Sequence, residues 1–111
     1  MPKTALAERY VQEGLEMDQF PGIVFRSGPS GRRPGLAGGP DVWEVVEVFQ
    51  AESNDLDRTL ESLGLRPGLV EAALRFYASH QAEIDAAIAD NRTLMEDAAR
   101  AYRREQQLLS Q

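Results

Sequence analysis

Apolar residues recur at helical spacing along most of the chain, with one short interruption that reads as sheet. Between Thr4 and Met17, Leu6, Tyr10 and Leu15 fall on one side of a helix, with Val11 beside them. Thr4 suits the N-cap, because its hydroxyl accepts from a first-turn N–H. Phe20-Pro21-Gly22 then stops the helix. The β-branched and aromatic run Gly22-Ile23-Val24-Phe25-Arg26-Ser27 predicts a strand. Gly28-Pro29-Ser30-Gly31 predicts a turn. Arg32 to Ala37 predicts a second strand, which Pro34 and Gly35 confine to a sheet edge or a bulge. A lone hairpin is barely stable in water, so this one has to pack on helices or on a second chain.

Gly38-Gly39-Pro40 breaks the chain again, and helical spacing returns with Asp41 as N-cap and Glu44 three residues later. Val42, Val45, Val46 and Phe49 form a buried stripe. Trp43 lies beside that stripe, suited either to the rim of the core or to a partner contact. Asn54 is the expected cap of a short helix carrying Leu56, Leu60 and Leu63 on one face. Gly64 closes that helix in a left-handed conformation. Pro67 suits the first position of the next helix, whose expected inner face is Leu69, Val70, Ala73, Leu74 and Tyr77. After a weak break at Ser79-His80 the chain reads as helix to near its end. There Ile84, Ile88, Met95, Ala98, Tyr102 and Leu109 follow an alternating four-three spacing, with polar Asn91 and Glu105 in the same register. That is the pattern of a short, imperfect coiled-coil seam. The polar last turns, from Arg103 to Gln111, are expected to fray unless a partner covers them.

The fold class these elements predict is mainly α with a small β-hairpin. It is a hairpin-bearing, or winged, helix-turn-helix domain over residues 1–91, followed by a C-terminal helical extension over 92–111. Asn54 to Tyr77 is the helix-turn-helix itself. Leu60, Leu63, Leu65, Val70 and Ala73 are the contacts expected to lock its two helices. The second helix would turn Arg66, Gly68, Glu71 and Ala72 outward, with Arg75 one turn on. Arg66 and Arg75 have the reach and chemistry for guanine edges or phosphates. Gly68 and Ala72 permit close approach to a groove, and Glu71 is able to accept from a cytosine amino group. A structural helical corner with no DNA contact fits the same spacing.

Charge complicates that picture. The 111 residues carry a net charge of −6, which opposes non-specific nucleic-acid binding. Residues 41–80 alone carry net −5. Between Phe20 and Pro40, however, every charge is positive: Arg26, Arg32 and Arg33. These three are the phosphate-contacting candidates, unless they only solvate a surface loop.

The chain has no cysteine and one histidine, which leaves no basis for disulfides, thiolate metal sites or a zinc centre. His80 has no candidate nucleophile at meaningful spacing. The glycine-rich stretch from Gly28 to Gly39 lacks the Gly-Lys-Ser/Thr ending of a phosphate loop. Neither a catalytic constellation nor a cofactor is expected. With no signal peptide or membrane span in the pattern, a soluble cytoplasmic protein is expected.

Several of these segments together resemble the bacterial antitoxin-like family known as domain of unknown function 433, in its actinobacterial form. The likeness runs from about Arg9 to Asn91. It rests on Phe20-Pro21-Gly22-Ile23-Val24-Phe25-Arg26, on Gly28-Pro29-Ser30-Gly31-Arg32-Arg33, and on Gly38-Gly39-Pro40-Asp41-Val42-Trp43-Glu44-Val45-Val46. Ala72-Ala73-Leu74-Arg75-Phe76-Tyr77 and Glu83-Ile84-Asp85 extend it. The resemblance implies a VapB-type antitoxin that dimerises, binds its own promoter DNA and masks a PIN-like ribonuclease toxin with a tail segment. In this chain that segment would be the C-terminal helix, through Leu94, Met95, Ala98, Tyr102 and Leu108, with Glu96 and Asp97 facing the toxin's basic groups. A protein-interaction module that inhibits a partner without touching DNA is the alternative.

Overall fold

The computed structural model describes residues 3–28 and 31–110, with side chains from Ala5 onward. Five helices and one hairpin follow in the order α1 (Lys3–Gln19), β1 (Ile23–Gly28), β2 (Gly31–Leu36), α2 (Val42–Ala51), α3 (Leu56–Leu63), α4 (Pro67–Ser79) and α5 (Gln81–Leu109). The mainly helical class, the antiparallel two-stranded hairpin and the long C-terminal helix all stand as the hydrophobic pattern requires. Thr4, expected as the N-cap, falls inside α1, which begins at Lys3; its side chain, and Pro29 and Ser30 of the expected turn, lie outside the described residues.

α2 is the centre of the molecule. Its valine stripe, Val42, Val45 and Val46, is fully buried and meets α3, α4, α5 and β2. Around it close Val70, Ala73 and Phe76 of α4, Ile84 and Ile88 of α5, and Leu36 and Ile23 of the hairpin. The helix-turn-helix pair is thus held by a third helix packed across both of its members. Leu60, Leu63, Leu65 and Trp43 are half-buried against this core, and Phe49, expected in the buried stripe of α2, is only half-buried. Glu44 accepts from the Asp41 N–H at 3.2 Å, so the expected cap of α2 is formed.

Two local readings need correction. Asn54 does not cap α3; Asp55 does, accepting from the Arg58 N–H at 3.0 Å. Ser53 and Asn54 have φ of 57° and 60° and carry the chain out of α2. The capping duty therefore passes to the next extended residue. In α4, Leu69, Leu74 and Tyr77 of the expected inner face pack half-buried against the core, and Phe76, absent from that expectation, is fully buried beside Val70 and Ala73. Phe20 and Phe25 meet the Phe76 ring edge-on at 5.3 and 6.3 Å, and His80 stacks on it at 3.9 Å. Tyr77 sits at the margin, where its hydroxyl donates to Asp85 at 2.7 Å. That bond raises the Tyr77 pKa, because it favours the protonated phenol.

The N-terminal helix departs furthest from its pattern. Its apolar side faces water: Tyr10, Val11 and Leu15 are 55–62% exposed. The side that docks is acidic. Glu13, only 6% exposed, receives the Arg32 guanidinium on both carboxylate oxygens, at 2.6 and 3.0 Å. Glu16 lies 3.0 Å from His80 Nε2. α1 is held on the hairpin by charge-assisted hydrogen bonds, with Phe20 as its apolar anchor.

Candidate DNA-facing helix and partner-binding segment

Gly64 makes the turn that aims α4. It adopts φ 65°, ψ 27°, and its N–H donates to the Leu60 carbonyl at 2.9 Å, closing α3. Pro67 then occupies the first position of α4, where a missing N–H costs nothing. The face that α4 turns to solvent contains Gly68, Glu71 and Arg75, with Arg66 at its N-cap; all four are exposed. A side chain added at Gly68 would meet open space, so this face is uncluttered. Neither Arg66 nor Arg75 forms an ion pair among the described residues. Ala72 does not belong to that face. It is 4% exposed and packs toward Gly22 at the base of the hairpin, because α4 needs a small residue where that backbone comes close.

The hairpin arginines lie away from this surface in their bonding. Arg26 donates to Asp41 at 2.9 Å and to the Gly39 and Leu36 carbonyls, the former at 2.7 Å. Arg33 donates to the other Asp41 oxygen. Arg32 is committed to Glu13 and to the Ser27 hydroxyl, the latter at 2.9 Å. Each guanidinium expected to be free for phosphate thus has an internal carboxylate partner. The Arg32 bond and charge hold the Glu13 carboxyl below its usual range, against the opposing effect of burial, and Glu13 in turn raises Arg32.

Asp41 and Glu13 are the residues sequence reasoning undervalued. Asp41 was expected only as a helix cap, and it proves to be the carboxylate that joins both strands to α2. A side chain at Gly35 would strike the Arg26 guanidinium at 2.5 Å, so the expected disturbance near Pro34-Gly35 serves to let an arginine cross the strand. The strands themselves stay in register without a bulge, Phe25 opposite Pro34 and Val24 opposite Gly35.

Searched against known protein families, curated proteins and solved structures, the chain matches none. The likeness to family 433 therefore rests on the residues quoted for it.

The partner-binding candidates all lie on the outer half of α5, residues 92–109. Leu94, Met95, Tyr102 and Leu108 are 62–66% exposed, and Ala98 is exposed with them. Met95 and Tyr102 prolong the stripe that Ile84 and Ile88 bury against the core, whereas Leu94 and Leu108 lie on the adjoining side of the helix. At the helical rise this segment runs about 27 Å beyond the last core contact. The radius of gyration, 17.2 Å, exceeds the roughly 13 Å of a compact chain of this length, as an unpacked helix requires. Charge divides at the same place: residues 1–91 carry net −7 and residues 92–111 net +1.

The described residues contain no helix long and apolar enough to cross a membrane. They also contain no group of three or more His, Asp or Glu side chains placed to hold a metal ion.

Proposed function

We propose that this protein is a cytoplasmic antitoxin, a binding protein rather than a catalyst. It neutralises a PIN-like ribonuclease with the outer half of α5 and, as a dimer, binds its own promoter DNA through α4. The observation that carries the reading is the apolar side of α5 beyond residue 92. Most helical stability in proteins comes from a packed apolar face. A helix presenting such a face beside a charged one suits the groove of another protein. The uncovered face of α4 and the family resemblance supply the DNA-binding half.

The test is to look for a PIN-like ribonuclease in a neighbouring reading frame and to co-express the two; the absence of such a frame would leave the antitoxin role without a toxin. The wild-type chain should co-purify with the toxin and suppress RNA cleavage. The double variant Leu94→Glu, Tyr102→Glu should keep a cooperative thermal melt and lose both properties. Undiminished inhibition by that variant would sink the masking role of α5.

A second reading, inhibition of a partner without DNA contact, is favoured by the internal pairing of Arg26, Arg32 and Arg33 and by the acidity of residues 1–91. Gel shift with the upstream DNA at low salt separates the two. Under the first reading Arg66→Ala with Arg75→Ala weakens the shift; under the second there is none to weaken.

A further inference from the structure

His80 stands where three helices meet. It follows the last residue of α4 and precedes the first of α5, and its carbonyl accepts from the Ile84 N–H at 3.1 Å. Its ring lies flat on that of Phe76, 3.9 Å away and 3° from parallel, with the Phe20 ring edge-on at 5.7 Å. Both ring nitrogens have partners. Nδ1 is 3.1 Å from the Phe76 carbonyl oxygen, and Nε2 is 3.0 Å from a carboxylate oxygen of Glu16, across on α1. The side chains of His80 and Glu16 are 19% and 18% exposed, so little water reaches the contact.

Both partners are acceptors. A carbonyl oxygen has no proton to give, and neither has an ionised carboxylate. A neutral imidazole carries one N–H and one lone pair, so it satisfies one of the two and turns a lone pair on the other. The doubly protonated ring donates to both, and its charge lies over the negative face of the Phe76 ring. The Gln12 amide donates to the same Glu16 oxygen at 3.3 Å, so that oxygen is an acceptor on both sides. No other charged group competes for the ring among the described residues. Glu13 of α1 is held by Arg32, Tyr77 of α4 donates to Asp85, Arg75 and Glu83 are exposed, and the hairpin arginines are tied to Glu13 and Asp41.

We propose that His80 and Glu16 form a proton-operated latch on α1. While His80 is a cation, α1 is fastened to the corner between α4 and α5; once the ring is neutral, that fastening is gone. A histidine changes charge between about pH 5 and 8, so the latch opens as pH rises across that range. The Glu13–Arg32 pair fails in the other direction, in acid. α1 is thus held by two contacts that fail at opposite ends of the scale, and by Phe20 at both. The latch goes beyond the antitoxin reading and does not rest on it. It also bears on it: α5 starts beside the residue that takes up the proton, at the joint between the helix proposed for DNA and the helix proposed for the toxin.

His80 is the only histidine, so its two ring nitrogens give the only imidazole signals in nitrogen NMR of the full chain. At pH 5.5 both should be protonated. As pH rises to 8.5 the ring should lose one proton. In the same step the amide protection of α1, corrected for intrinsic exchange, should fall about tenfold, the worth of one charge-assisted bond. The valines of α2 should keep theirs. In Glu16→Gln the step should vanish, because an amide accepts from the charged ring and donates to the neutral one. His80→Gln, with no charge to lose, should likewise be flat. Protection of α1 that does not change with pH in the wild-type chain would overturn the latch. So would a step of equal size in Glu16→Gln, a fall shared equally by the valines of α2, or a neutral ring at pH 5.5 beside a protected α1. Neither DNA nor ribonuclease enters the measurement, so its failure leaves the antitoxin reading standing.

Discussion

α4 and α1 pack on the same hairpin, and they hold it by opposite means. α4 offers Val70, Ala72, Ala73 and Phe76, all buried, and its charged residues stay outside. α1 offers the hairpin Glu13, sends Glu16 to His80 at the end of α4, and keeps its apolar residues outside. Both helices are amphipathic, so amphipathicity alone does not decide which face turns inward. The decision rests on what the hairpin presents. Toward α4 it presents Ile23, Leu36 and the Phe25 ring; toward α1 it presents Arg32, a cation whose neutralising group has to come from elsewhere in the chain.

The difference has measurable consequences. The largest belongs to α4. Phe76→Ala removes a ring met edge-on by Phe20 and Phe25 and stacked by His80, and should cost about 3–5 kcal/mol in urea unfolding. A loss within the error of the titration would mean that the apolar contact does not organise this side.

The α1 contact should instead titrate. Glu13 has its folded-state pKa lowered, chiefly by the Arg32 hydrogen bond. Its contribution to stability is therefore complete above the ordinary carboxylate range and disappears as pH falls through the lowered value. Thermal melts taken from neutral to strongly acid pH should show that loss in the wild-type chain and a shallower slope in Glu13→Gln. Arg32→Ala leaves a buried carboxylate without its two bonds, and should free α1 to limited proteolysis while the α2–α4 core stays intact. Equal acid slopes in wild type and Glu13→Gln would show that the ion pair does not hold the helix.

The smallest effect is expected on the outward side of α1. Leu15 is 59% exposed, and Leu15→Ser should change stability by no more than about 0.5 kcal/mol. A larger loss would show that this face is covered in solution.

What could be read in the chain was governed by local chemistry. Gly64 takes the left-handed conformation because the end of α3 needs it, Pro67 opens α4, and the valine stripe of α2 finds the interior, all from rules confined to a few residues. The misreadings share a different cause. Phe76 and Tyr77 are adjacent, about 100° apart on the helix, and either would serve as an inward aromatic. Phe20 and Phe25, arriving from elsewhere, choose Phe76. Ala72 is drawn inward by the backbone at Gly22, fifty positions earlier. The hairpin arginines looked free because no acid lies near them in sequence between Phe20 and Pro40. Their partners stand in α1 and at the start of α2. The outer half of α5 keeps the same apolar spacing as the inner half, and that spacing carries no mark of where the core ends.

Asp41 joins three elements at one point. Its carboxylate takes Arg26 from β1 and Arg33 from β2, its backbone bridges to Gly35, and α2 begins at the next residue. A two-stranded ribbon left to itself frays continually and its amide hydrogens trade with solvent almost at once. Here the ribbon cannot peel away without pulling apart the first turn of the central helix. Its amide protons should consequently exchange for deuterium on the timescale of whole-domain opening, as slowly as those of the valines beneath it.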